Sequence, residues 1–156
     1  MEPAFARADF SITSPAFEHM GELPSRYTCD GEDISPPLQI WNVPGKTVSL
    51  ALFCEDPDAP NGVWDHWVRF NIAPSELDIP EGSFPGEGSG KTTGTSLGWQ
   101  GPCPASGEHR YIFRVYALSE RINLPDGVTK ADVERAMDGK ILAKASLIGT
   151  YRREQA

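Results

Sequence analysis

Proline and glycine cut this chain into short pieces, and that punctuation limits its fold more than any other feature. Among 156 residues there are 14 prolines and 15 glycines. Each proline fixes φ and removes an amide donor, so long helices are excluded over most of the length. The pieces left between breakers are apolar, β-branched or aromatic, and they read as strands: Phe10 to Ile12, Leu38 to Trp41, Thr47 to Cys54, His66 to Ile72 and Tyr111 to Leu118. Only Thr129 to Gly139 carries helix signals, with a threonine N-cap, an acid three residues later and a terminal glycine. Lys140 to Ser146 is expected to add a second short helical turn, Ser146 to Arg152 a closing strand, and the charged end Arg152 to Ala156 to fray. The expectation is one mainly β domain spanning residues 1–156, with one or two short C-terminal helices and a sizeable core.

Two proline-stiffened loops carry the chemistry. In the first, CEDPDAPNGVWDHW, Asp56 and Asp58 lie among Pro57, Pro60 and Asn61-Gly62, and Trp64 and His66 follow. If the preceding strand alternates into this loop, Val48, Leu50, Leu52, Cys54 and Asp56 share one face. The following run places His66 with Val68, Phe70 and Ile72, and Trp67, Arg69 and Asn71 opposite. In the second loop, GPCPASGEHRY, Pro102 and Pro104 with Gly101 and Gly107 deliver His109 to the mouth of the Tyr111 to Leu118 strand. Either loop alone is ordinary turn material. Together they place an acid at the end of one strand and histidines at the start of two others, an arrangement that can converge at one end of a sheet.

A formal net charge of −8 argues against nucleic-acid binding, which draws its affinity largely from Lys and Arg. No apolar run reaches membrane-spanning length, and Met1 to Phe10 lacks the basic and apolar regions of a signal peptide, so a cytoplasmic location is expected. GEGSGKT, from Gly86 to Thr92, is one residue short of a phosphate-binding loop and no helical run follows it. Three cysteines are too few for a cysteine-based zinc motif or a disulfide framework. In a reducing compartment they are most simply buried thiols. Cys29 and Cys103 both lie in Pro/Gly/Asp-rich loops, and a bridge between them stays open.

The pair DPDAP with W-x-H, and GPxPxxGxHRY opening a strand, resembles the signatures of the phosphatidylethanolamine-binding protein family, also called the Raf kinase inhibitor protein family. The chain looks most like its short bacterial YbhB/YbcL-like branch, down to YTCDGEDISPPL (Tyr27 to Leu38) and LIGTYRR (Leu147 to Arg153). The resemblance implies a large central antiparallel sheet packed on a smaller one, with an anion-binding pocket at one end of the large sheet. It implies ligand-binding roles for Asp56, Asp58, His66, Gly101, Pro102, His109 and Tyr111. Neither metal nor cofactor is implied. The implied partners are a small phosphate or carboxylate ligand and a kinase or protease to be inhibited, and a homodimer stays open. Cys103 stands where eukaryotic members often have a second proline, and Trp99 where a glycine is common, so a narrower rim is expected.

The residues independently suit an anion site. A carboxylate beside an imidazole favours its charged form. Asp56 paired with either His66 or His109 would therefore keep a donor ready for a phosphate oxygen. Amides around Gly101 and the Tyr111 hydroxyl would add further donors. Zinc binding by one Asp and two His lacks a third strong ligand at regular spacing. Hydrolysis with Ser35 or Ser106 as nucleophile is the alternative reading. The bland alternative is that both histidines brace loops. The expected function is non-enzymatic binding of a small anion.

Overall fold

The Thr47 to Cys54 run becomes the middle of the protein. In the computed structural model, which describes residues 9–153, β3 (Ser49–Asp56) is buried along its whole length. It lies between β4 (Trp64–Ile72) and β7 (His109–Leu118), both antiparallel to it. The large sheet is completed by β6 (Gly88–Ser89) beyond β4 and β8 (Ile141–Tyr151) beyond β7, giving the order β6-β4-β3-β7-β8. A second antiparallel sheet is made of β1 (Ser11–Thr13), β2 (Leu38–Trp41) and β5 (Asp78–Ile79), in the order β1-β2-β5.

A strand apolar on both faces needs cover on both. On one side Leu50, Leu52 and Cys54 pack with Ile12, Leu38, Ile40 and Ile79 of the small sheet. On the other, Ala51 and Phe53 meet Val133 and Met137 of the one α-helix among the described residues, α1 (Lys130–Met137). That helix starts as the sequence predicts. The Thr129 side chain accepts from the Asp132 amide, and the Asp132 carboxylate accepts from the Thr129 amide, a reciprocal cap worth about 1 kcal/mol. Lys130 Nζ then reaches Glu55 Oε1 and Asp65 Oδ1, each at 2.9 Å, fixing the helix to the ends of β3 and β4. Burial opposes the Lys130 charge, but its bonds to the two carboxylates outweigh burial and raise its pKa.

Two expectations about the strands need correction. Lys140 to Ser146 is not a helical turn. Gly139, at φ +79°, turns the chain out of α1, and β8 runs as one strand from Ile141, pairing with β7 from Ile141–Leu118 to Tyr151–His109. The end expected to fray lies partly outside the described residues; of its first two, Arg153 is tied to Asp30.

The simple alternation predicted for His66 to Ile72 also fails. The β3–β4 register passes from Cys54–Trp67 to Glu55–Asp65, which leaves His66 as an extra residue on β4, a β-bulge. His66 consequently shares a face with Trp64 and Trp67, not with Val68 and Phe70, which pack toward α1. A second irregularity near Asn71, at φ +55°, puts Ile72 in the core between the sheets. The Asn71 side chain there bonds both the amide and the carbonyl of Ile122, at 2.8 Å each.

Candidate ligand pocket

Because β3 runs antiparallel to both neighbours, its last residue lies beside the first residues of β4 and β7. Asp56, Trp64, His66, His109 and Tyr111 therefore meet at one end of the large sheet. They form the floor of a cavity of about 300 Å³. Ala59 and Pro60 of the first loop and Gln100, Gly101, Cys103, Pro104 and Ala105 of the second form its walls.

Asp56 is the centre of the floor, and both of its oxygens are occupied. Oδ1 accepts from the Asp58 amide at 2.7 Å, and Oδ2 lies 2.7 Å from His109 Nδ1. His109 Nε2 faces the Ser106 carbonyl at 3.2 Å, so each ring nitrogen meets an acceptor, and a ring protonated at both donates to both. Of the two partners left open for Asp56, the structure selects His109.

His66 is set differently. Its Nδ1 meets the Gln100 carbonyl, which can only accept, so Nδ1 carries the proton. The ring lies against Trp64, with centroids 4.6 Å apart, and edge-on to Tyr111 at 5.3 Å. Burial pushes its pKa down, and the Gln100 carbonyl and the nearby Asp56, Asp65 and Asp33 offset this only in part. The expectation that Asp56 could hold the His66 imidazole in its charged form therefore fails: burial favours the neutral ring, which with its proton on Nδ1 presents Nε2 as a lone-pair acceptor. Burial also pushes the Tyr111 hydroxyl well above the ordinary phenol range, with Asp56 adding to the effect, so it stays a neutral donor. Neither His66 Nε2 nor the Tyr111 hydroxyl has a hydrogen-bond partner among the described residues, whereas Asp56 and His109 have theirs.

The other predicted residues support the pocket from outside its floor. Asp58 does not line the cavity. Arg110 grips it through Nε and Nη2, each at 2.9 Å, and the Arg110 amide adds a third bond at 2.9 Å. These bonds hold Asp58 at a pKa of about 2. They fasten the DPDAP loop to the start of β7. With the folded pKa depressed, this contribution is present above the ordinary carboxylate range and is lost as pH falls toward about 2. Arg110→Ala is expected to lower the urea midpoint slightly at neutral pH, as suits a half-exposed pair, and hardly at all near that acid limit. Pro102 is buried outside the cavity, and its carbonyl accepts from the Cys29 amide at 3.1 Å.

Gly101 does line the wall, but its amide is not free, as the sequence reading expected. It donates to Asp33 Oδ1 at 2.9 Å, and the Gln100 amide donates to the His66 carbonyl at 3.0 Å. Amides of Cys103 and Ala105, farther along the loop, have no acceptor among the described residues and remain at the wall. The Cys29–Cys103 bridge left open by the sequence is formed, with Cα atoms 5.4 Å apart, while Cys54 is a buried thiol.

Sequence reasoning missed Gln100 and Asp33. Gln100 acts through its backbone, so its side-chain type carries no signal. Asp33 lies distant in sequence, in YTCDGEDISPPL, at φ +57°. Ser35 Oγ faces the Ser83 carbonyl and lies outside the cavity lining, and Ser106 meets His109 through its carbonyl. Among the described residues no group of three or more His, Cys, Asp or Glu side chains is arranged to hold a metal ion, and no helix is long and apolar enough to cross a membrane. A larger cleft, about 500 Å³, lies against Glu22, Asp30 and Tyr151. Its Asp30 is already engaged by the Tyr151 hydroxyl and Arg153.

Known proteins resemble this chain in sequence and fold. A UPF0098 protein of Methanothermobacter thermautotrophicus is 51% identical over 149 residues, spanning 92% of this chain and 99% of its own. The crystal structure of a phosphatidylethanolamine-binding protein homologue from Chlamydia trachomatis superposes with a TM-score of 0.90 at 39% identity, over 93% of this chain and 98% of that one. YbcL of Escherichia coli, described as a new member of the mammalian PEBP family, gives 0.86 at 27% identity, over 94% and 100%. The family description "Phosphatidylethanolamine-binding protein" matches residues 13–152. With the two proline-stiffened loops and both sheets in place, the chain belongs to the phosphatidylethanolamine-binding protein family.

Proposed function

We propose that the cavity binds a small anion, such as a phosphate-bearing head group, a phosphomonoester or a carboxylate, without transforming it. The observation that carries this reading is the division of labour on the floor. Both Asp56 oxygens are spent, so the acid is masked, while the Tyr111 hydroxyl and His66 Nε2 have no protein partner among the described residues. Tyr111 and the amides of Cys103 and Ala105 are donors for anion oxygens. His66, neutral when the pocket is empty, accepts a proton from the ligand or takes one up as the ligand arrives. The aromatic and proline walls exclude a long polyanion and suit a small head group. Inhibition of a kinase or protease, through capture of a phosphate or carboxylate on the partner, is the regulatory form this binding would take in the cytoplasm.

Calorimetric titration with acetate from about pH 8 to about pH 5.5 tests this, because acetate itself hardly titrates in that range. Affinity is expected to rise as pH falls, by up to about tenfold per unit where one proton is taken up. His66→Gln is expected to flatten the profile. Equal affinity at all pH values would overturn the role given to His66. Turnover of a phosphate monoester, lost in His109→Ala, would instead establish the acid–base reading of Asp56 and His109 as a hydrolase.

A further inference from the structure

The disulfide lies in the pocket wall. Cys103 lines the cavity, and both Cys29 and Cys103 are exposed to solvent. The base of the second loop has its own anchors: Trp99 Nε1 to the Tyr27 carbonyl at 3.1 Å, Gly101 to Asp33, and Cys29 N to the Pro102 carbonyl. Beyond Pro102 the anchoring changes. No backbone amide from residue 103 to residue 107 finds an acceptor among the described residues, and the one hydrogen bond to the segment is the 3.2 Å contact of His109 Nε2 with the Ser106 carbonyl. Cys103, Pro104 and Ala105, which close one side of the cavity, are thus held by the packing of the buried Pro104 and by one covalent bond to the segment after Tyr27.

We propose that Cys29–Cys103 is a redox modification site that holds the pocket wall in its binding shape, and that reduction by a dithiol loosens residues 103–107 and weakens anion binding. A dithiol thiolate attacks one sulfur of the bridge, the S–S bond breaks, and the other cysteine leaves as a thiolate. The second thiol of the reductant then displaces the first cysteine from the mixed disulfide. In balance, two electrons and two protons pass from the dithiol to give two cysteine thiols and an oxidised, cyclic disulfide. Both cysteine residues are solvent-exposed, which places the bridge at the surface where a reductant can approach. The anchors at Trp99 and Gly101 involve neither cysteine, so the change stays local and the sheets remain folded. A reducing and an oxidising compartment would then hold the same protein in weak- and tight-binding states.

The effect on binding rests on the anion-site reading above, so the test has one readout that does not need a ligand. The full-length protein is compared in air-oxidised form, after treatment with dithiothreitol, and as Cys29→Ser/Cys103→Ser. Hydrogen exchange is followed by mass spectrometry and inorganic phosphate binding by calorimetry. Reduction is expected to speed exchange in residues 103–107 while β3, β7 and β8 keep their protection. It is also expected to weaken phosphate binding about tenfold, the cost of re-ordering about one residue of backbone. Should the double variant fail to fold, reduced wild type carries the comparison. Unchanged exchange in 103–107, or phosphate affinities within about twofold in the two states, would overturn the proposal. So would loss of protection across the sheets, or complete alkylation of both thiols in the air-oxidised protein. If the oxidised protein shows no phosphate binding, the anion-site reading fails instead, and the local exchange difference alone decides whether the bridge is the clamp.

Discussion

His109→Ala is expected to lose at least about tenfold in phosphate affinity and about 3 kcal/mol of stability, the two losses having one cause. Asp56 is buried, and His109 Nδ1 is the one partner of its Oδ2 among the described residues. Truncating the imidazole leaves a buried carboxylate on the cavity floor with only the Asp58 amide to satisfy it, and that charge then faces any incoming anion. Urea unfolding and calorimetry on the same variant measure both effects. The double variant Asp56→Asn/His109→Ala tests that common cause. Removing the stranded charge should restore most of the stability and much of the affinity, since both His109 ring nitrogens already face protein acceptors in the intact pocket. A double variant no more stable than His109→Ala would show that the pair does not act as a unit.

Gly101→Ala is expected to cost about 2–4 kcal/mol, a large effect for one methyl group. A Cβ at this position would stand 2.2 Å from Asp33 Oδ1, 2.6 Å from the Tyr27 carbonyl and 3.0 Å from Trp99 Nε1. Backbone cannot yield as a flexible side-chain tip can. Either the segment after Tyr27 shifts, or the Gly101–Asp33 bond breaks and leaves a carboxylate without its donor. Gly45→Ala is the control, since nothing lies within 4 Å of a Cβ there. Thermal unfolding of the two variants should separate them clearly. Equal melting temperatures would mean that Gly101 is selected for something other than space.

The importance of Gly101 was legible in the sequence, but its reason was not. Proline neighbours suggested a free amide. The structure instead has that amide bonded to an acid 68 positions earlier, and no local pattern announces such a pairing. The same limit applies to the walls. Strands whose two faces are both apolar, such as β3, could be read from composition and breakers, as could the capped helix and the convergence of Asp56, His66 and His109. Segment 140–146 misled because lysine and alanine suit a helix, while the alternating burial of β8 depends on having β7 beside it. The charge state of His66 misled because proximity to acids is visible in a motif and depth of burial is not.

The bulge at His66 changes how this molecule can vary. In a regular pleat every residue inserted or removed reverses all side chains beyond it. One supernumerary residue between Asp65 and Trp67 lets the ligand end and the hydrophobic body keep separate phases on the same strand. The spacing from Trp64 to Trp67 thus works as a reading frame. Shortening it by one residue would leave each core pair below intact, yet would swing the imidazole or its tryptophan neighbour through the sheet, emptying the cavity floor without unfolding anything.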